Sequence, residues 1–203
     1  GIRQNVVNQQ REFIEPFFAA AQLVLAGNDT EGLRYGTVGT TEPYYLTWKE
    51  ERARWKPGDP ADAKYIPPDE CAEGSVALDC DLARLLDKRR FLEFVHDFVV
   101  FDAGIKKLAR HNQYFGVKAA QARVRQRHGG IIWHTQGSGK SLTMVWLAKW
   151  ILQSVEDARV LIVTDRVELD EQIEKVFVGV GESIHRTTGG ADLVETLNHP
   201  NPA

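Results

Sequence analysis

Gly130-Ile131-Ile132-Trp133-His134-Thr135-Gln136-Gly137-Ser138-Gly139-Lys140-Ser141 decides how the rest of this chain is read. A short apolar run bounded by glycine leads into a polar loop, and Ser141 to Val155 follows as an almost wholly apolar helix. Holding a triphosphate takes several backbone N–H groups turned into one concavity, with glycine wherever a side chain would block the approach. Gly137 and Gly139 meet that need, and Gln136 and Ser138 complete the cradle. Lys140 brings a mobile positive charge to the β- and γ-phosphates, the Ser141 hydroxyl can ligate Mg²⁺, and the helix start adds a favourable field. The general pattern G-x-x-x-x-G-K-[S/T] has glycine where this chain has His134. That position marks the exit from the strand, so another residue there is sterically conceivable.

Downstream, Ala158-Arg159-Val160-Leu161-Ile162-Val163-Thr164 is a second β-rich run and Val167 to Phe177 a second helix, so two βα units predict a parallel sheet. Between them, Asp165 and Arg166 fall at a strand's carboxyl end, where open α/β sheets bind ligands. Arg166 could meet a DNA phosphate; equally, Asp165 could cap the next helix and Arg166 pair with a carboxylate. Upstream, Gln113 stands beside Tyr114 and Phe115. Its carboxamide complements the donor and acceptor of adenine and the rings could stack on a base. The plainer alternative is a polar helix start whose aromatics enter the core.

Further towards the N-terminus, apolar positions from Leu82 to Phe101 describe one helical face ended by Asp102-Ala103-Gly104. Pro57, Pro60, Pro67 and Pro68 lie close together between Lys56 and Asp79, which reads as a linker or long surface connection. Before it, Asn5 to Leu25 has helical spacing interrupted at Pro16, Asn28-Asp29 marks a turn, and residues 33–37 and 44–48 read as two short strands. The expected organisation is a first segment over 1–55, a Pro-rich linker over 56–80, a helical lead-in over 81–128 and a phosphate-loop domain over 129–203.

A formal net charge of -3 over 203 residues gives no overall basic bias, so any nucleic-acid contact must come from local patches. An apolar share of 43% suffices for a packed core. No apolar run reaches the roughly 18 residues that span a bilayer, which predicts no membrane partner and a cytoplasmic location. Cys71 and Cys80 lack a zinc spacing and read as ordinary reduced thiols. A start without Met and an end at Asn201-Pro202-Ala203 read as a piece of a longer protein.

Together, residues 110–115, the stretch from Gly130 to Ser141 and residues 164–172 resemble the restriction (R) subunit of type I restriction-modification enzymes, in which His in place of the first glycine is normal. The resemblance implies a PD-(D/E)xK nuclease followed by a superfamily 2 helicase-like motor that translocates duplex DNA. On that likeness the fold is α/β: the start of a RecA-like parallel-sheet motor domain, preceded by a helical segment and the C-terminal remnant of the nuclease domain. Gln113 then corresponds to the adenine-reading glutamine, Lys140 and Ser141 to the phosphate and Mg²⁺ residues, and Asp165-Arg166 to a DNA-contacting motif. Gln9 and Phe13 faintly resemble a Gln-x-x-x-Tyr nuclease element. The implied cofactors are ATP and Mg²⁺, and the implied partners are duplex DNA and the methyltransferase (M) and specificity (S) subunits. No catalytic set is complete here: the acidic pair that positions water, the second-lobe arginine and the nuclease's Asp, Glu and Lys are all expected outside this chain. Two further readings are a superfamily 2 motor without nuclease activity and a non-catalytic nucleotide- or DNA-binding module.

Overall fold

The computed structural model describes residues 1–10, 15–50 and 74–199. Helix α1 (Ile2–Gln9) and the short α2 (Glu15–Ala19), with Pro16 in its first turn, precede an antiparallel sheet of β1 (Val24–Asn28), β2 (Gly32–Gly36) and β3 (Leu46–Thr47). The turn between β1 and β2 is set by Asn28, whose Oδ1 accepts the N–H groups of Thr30 at 3.1 Å and Glu31 at 2.7 Å. This is the side-chain turn that Asn favours. Val24 and Leu25, which the sequence spacing assigned to a helix, pair instead with Gly36 and Tyr35.

The single helix expected from Leu82 onward is two helices and a strand. Helix α3 (Ala77–Leu85) ends before Asp87, whose side chain accepts from the N–H of Arg90 at 3.1 Å and caps α4 (Lys88–Asp97). Val99 to Asp102 then form β4, which pairs antiparallel with β5 (Ile105–Leu108). The two residues between them, Ala103 at φ 50° and Gly104 at φ 80°, form a tight hairpin turn. A periodicity of 3.6 cannot expose such a turn inside a continuous apolar run.

Helices α5 (His111–Arg125), α6 (Lys140–Ser154), α7 (Val167–Gly179) and α8 (Gly190–Asn198) complete the described chain. Helices α5 and α6 pack together, and one core joins them to the N-terminal sheet. In it Trp48 meets Tyr35, Phe94, Tyr114 and Phe115 at ring separations of 5.4 to 6.0 Å. The Tyr35 hydroxyl donates to the carbonyl of Ala109 at 3.0 Å, tying β2 to the lead into α5, and burial pushes its pKa up. The buried Arg90 and Glu50 side chains pair beside Trp48, whose Nε1 donates to Glu50 at 2.7 Å. Residues of the segments expected as 1–55, 81–128 and 129–203 thus share a core. The linker expected over 56–80 lies outside the described residues up to 73; its last part runs into α3.

The fold is mixed α/β, but both described sheets are antiparallel. The two runs predicted as parallel strands, Gly130–Trp133 and Ala158–Thr164, belong to no ladder among the described residues. Ile131, Trp133 and Val163 are 90%, 89% and 81% exposed. A parallel strand needs hydrogen-bonded neighbours and cover on its faces, and neither run has such a neighbour among the described residues. Cys80 corrects another expectation, because it is disulfide-bonded and not a reduced thiol. Its spacing from Cys71 excluded zinc but carried no signal for or against a bridge; Cys71 lies outside the described residues.

Candidate phosphate-binding site

The loop from His134 to Gly139 follows the run at 130–133 and delivers the chain into α6. Gly137 at φ 76° and Gly139 at φ 83° take the left-handed backbone that favours glycine. They differ in surroundings: a Cβ on Gly137 would meet nothing within 4 Å, whereas one on Gly139 would stand 2.3 Å from Nε2 of Gln113. Ser138 is buried, and its hydroxyl donates to the carbonyl of Thr135 at 2.7 Å, closing the turn. Gly139 is the N-cap of α6 and has no capping side chain, so no capping side chain covers the N–H groups of the helix's first turn. The Lys140 ammonium donates to the carbonyls of His134 at 3.3 Å and Thr135 at 3.2 Å. Gln136 is exposed and Ser141 half-buried at the start of α6.

Gln113 is brought to the loop rather than left on a surface. It is 2% exposed, its Oε1 accepts the N–H of Arg110 at 2.8 Å, and its Nε2 donates to the carbonyl of Gly139 at 2.9 Å. A carboxamide has two donor hydrogens and two lone pairs, so one of each is left over. Tyr114 enters the core as in the plainer reading: it is 2% exposed and its hydroxyl donates to Glu93 at 2.9 Å. Burial, reinforced by the Glu93 charge, pushes that hydroxyl's pKa up. Phe115 is half-buried against Trp48.

The structure does not bring Asp165 and Arg166 to the loop by any hydrogen bond. They are exposed at the start of α7, where Arg166 is the N-cap and lies 3.9 Å from the Asp165 carboxylate, and no side chain caps the helix. Gln9 is held by structural bonds, from the N–H of Gly39 at 2.9 Å and to the hydroxyl of Tyr45 at 3.4 Å; Phe13 lies outside the described residues. No group of three His, Cys, Asp or Glu side chains that could hold a metal ion occurs among the described residues, and no helix there is long and apolar enough to cross a membrane.

Two features escaped the motif reading. Thr143, one turn into α6, is buried and donates through Oγ1 to the carbonyl of Gly139 at 3.3 Å, so that carbonyl is held from two sides. Its signal was a hydroxyl two residues after Ser141 in an otherwise apolar helix. The second feature is that residues 103–155 contain no Asp or Glu in a chain of net charge -3. Lys107, Lys118 and Lys149 find carboxylates outside that stretch, in Asp102, Glu93 and Glu182. Arg123, Arg125 and Arg127 are exposed and have no carboxylate partner among the described residues, and Arg125 lies 5.1 Å over the ring of Trp150. Net charge conceals a local basic segment of this kind.

The loop lies inside the stretch that one family model matches. A family model described as SWI2/SNF2 ATPase matches residues 112–203. The putative type I restriction enzyme MjaIXP endonuclease subunit of Methanocaldococcus jannaschii is 38% identical over 134 residues, covering 60% of this chain and 13% of the relative. The type I restriction enzyme HindI endonuclease subunit of Haemophilus influenzae is 33% identical over 117 residues, 51% of this chain and 11% of the relative. The putative MjaVIIP endonuclease subunit of M. jannaschii is 29% identical over 130 residues, 56% and 12% respectively. The chain therefore spans between 11% and 13% of the length of these relatives. Over 51% to 60% of its length the chain is thus similar to proteins named as type I restriction enzyme endonuclease subunits.

Proposed function

We propose that this chain supplies the nucleotide-holding part of an ATP-dependent DNA translocase within a type I restriction endonuclease. The observation that carries the reading is the loop itself: two glycines in left-handed backbone lead into a helix start that no side chain caps, with a lysine as its first residue. Anions favour that arrangement. Backbone N–H groups of residues 136–141 cradle the β- and γ-phosphates of ATP, and Lys140 leaves the carbonyls of His134 and Thr135 to meet them. Ser141 offers its hydroxyl to Mg²⁺, whose role when bound is to neutralise phosphate charge. Gln113 reads adenine with its remaining donor and acceptor while still holding Gly139. Asp165 and Arg166 face duplex DNA.

As parts of a restriction complex, the proposed partners are the methyltransferase and specificity subunits, and the proposed setting is the cytoplasm. The domain reading follows the same lines: the end of a nuclease domain over 1–55 and the start of a RecA-like motor over 129–203. The test is a titration of this chain with a fluorescent ATP analogue and Mg²⁺. Saturable, Mg²⁺-dependent binding that Lys140→Ala weakens at least about tenfold is expected, equivalent to about 1.4 kcal/mol. Equal binding by wild type and Lys140→Ala sinks the reading, and no binding at all leaves the non-catalytic module. Turnover by this chain alone would contradict the expectation that the hydrolytic groups lie elsewhere.

A second reading, a superfamily 2 motor without a nuclease, is favoured by one observation: the ATPase match begins at Asn112. Metal-dependent DNA cleavage by the full-length subunit in its complex decides between the two.

A further inference from the structure

Gly116 lies in the interior of α5, where alanine is the better helix former. A Cβ built on it would stand 3.3 Å from Nε2 and 3.5 Å from Cε1 of His134, and 3.5 Å from Cγ2 of Ile132. The imidazole thus fills the notch that the missing side chain leaves. His134 is also the residue that replaces the glycine of the general phosphate-loop pattern. Its carbonyl receives the Lys140 ammonium at 3.3 Å, and its Nδ1 is buried without a hydrogen-bond partner. On the same face of α5, three residues earlier, Gln113 holds Gly139. One helix therefore grips the loop at both ends, by a close fit at the first residue and by a hydrogen bond at the sixth.

We infer that the Gly116–His134 contact is a positioning device that sets the loop against α5 and thereby tunes its affinity for a nucleoside triphosphate. The inference rests on the proposed nucleotide binding. Widening Gly116 moves His134, the His134 carbonyl moves with it, and the resting place of Lys140 is displaced. A glycine at 134, as in the general pattern, gives up the grip but also tolerates a side chain at 116. Gly116 and His134 are therefore coupled: each makes sense only with the other.

The experiment is a double-mutant cycle with Gly116→Ala and His134→Gly, reading the Kd of a fluorescent ATP analogue with Mg²⁺ alongside the melting temperature of the full chain. Gly116→Ala is expected to raise Kd about three- to tenfold while the melting temperature holds or rises, because the helix itself improves. In the His134→Gly background, Gly116→Ala is expected to cost nothing further. Unchanged affinity in Gly116→Ala overturns the inference, as do simply additive effects of the two changes. So does a drop in melting temperature that tracks the affinity loss, which would make Gly116 a packing residue only. If wild type binds no nucleotide, it is the nucleotide reading that fails. The positioning of the loop against α5 is then decided by the backbone amide resonances of Gly137, Gly139 and Lys140: shifts in Gly116→Ala support it, and unmoved resonances refute it.

Discussion

Two tryptophans show how differently this chain treats the same side chain. Trp48 is 2% exposed, ringed by Tyr35, Phe94, Tyr114 and Phe115, with its Nε1 donating to a buried carboxylate. Trp133, one residue before the candidate loop, is 89% exposed in a run that pairs with no strand among the described residues. Both sit in stretches that look like strands by composition. What separates them is partners: Trp48 directly follows β3 and packs on Phe94 of α4 and Tyr114 and Phe115 of α5, while the run at 130–133 has α5 beneath Ile132 and no ladder among the described residues. Hydrophobic patterning states which residues want burial, and other elements decide which receive it.

That contrast can be broken by experiment. Trp48→Ala is expected to cost about 3–5 kcal/mol, as large-to-small changes in packed cores do, whereas Trp133→Ala should stay within about 0.5 kcal/mol. Urea unfolding of both variants measures the gap, and equal losses would mean that Trp133 is buried in solution. A narrower version of the comparison uses two glycines of one loop. Gly139→Ala meets both an unfavourable φ and the Gln113 amide, so it is expected to lose measurable nucleotide binding and about 2–3 kcal/mol of stability. Gly137→Ala has open space and pays for backbone strain alone, about 1–2 kcal/mol. Identical effects on stability would remove the role given to Gln113 as a wall of the loop.

The smallest expected effect concerns the turn before α8. Asp192 accepts the N–H of Thr188 at 2.7 Å, the ring nitrogen of His185 at 3.0 Å and the Thr188 hydroxyl at 3.0 Å, and these bonds hold its pKa down to about 2 from an ordinary 3.8. A carboxylate lowered on folding stabilises above its unfolded pKa and loses that contribution as pH falls through the folded value. The turn should therefore loosen between about pH 4 and pH 2, in the same range as other carboxylates titrate. Amide exchange at Thr188 across that window, with Asp192→Asn showing the loosened behaviour already at pH 7, reads it directly. Exchange at Thr188 that is flat across the window would show that the carboxylate does not hold this turn.

How much was legible beforehand varies with the kind of signal. Helix α6 was visible as a long, almost wholly apolar run behind a glycine loop and α7 as the helix after the second β-rich run, while β2 and β3 were visible as two short β-rich runs joined by a glycine-bearing connection. The break at Asp87 and the hairpin at Ala103-Gly104 were not, since a cap and a two-residue turn inside an apolar stretch leave the periodicity nearly intact. In the candidate site the loop residues were named from spacing alone. Sequence left two fates open for Tyr114, and the structure shows it entering the core while Gln113 turns to the loop.

The sequence by itself picked out the candidate loop from His134 to Ser141, because glycine, lysine and serine at fixed offsets encode a local backbone shape. It also determined the family likeness carried by the same letters. Only the tertiary structure decided that α5 grips this loop through Gln113 and the Gly116 notch, that one core runs from Leu33 to Trp146, and that two strand-like runs have no ladder among the described residues. Those outcomes depend on which surfaces meet across long separations in the chain, and a local pattern of residue types does not specify its distant partner.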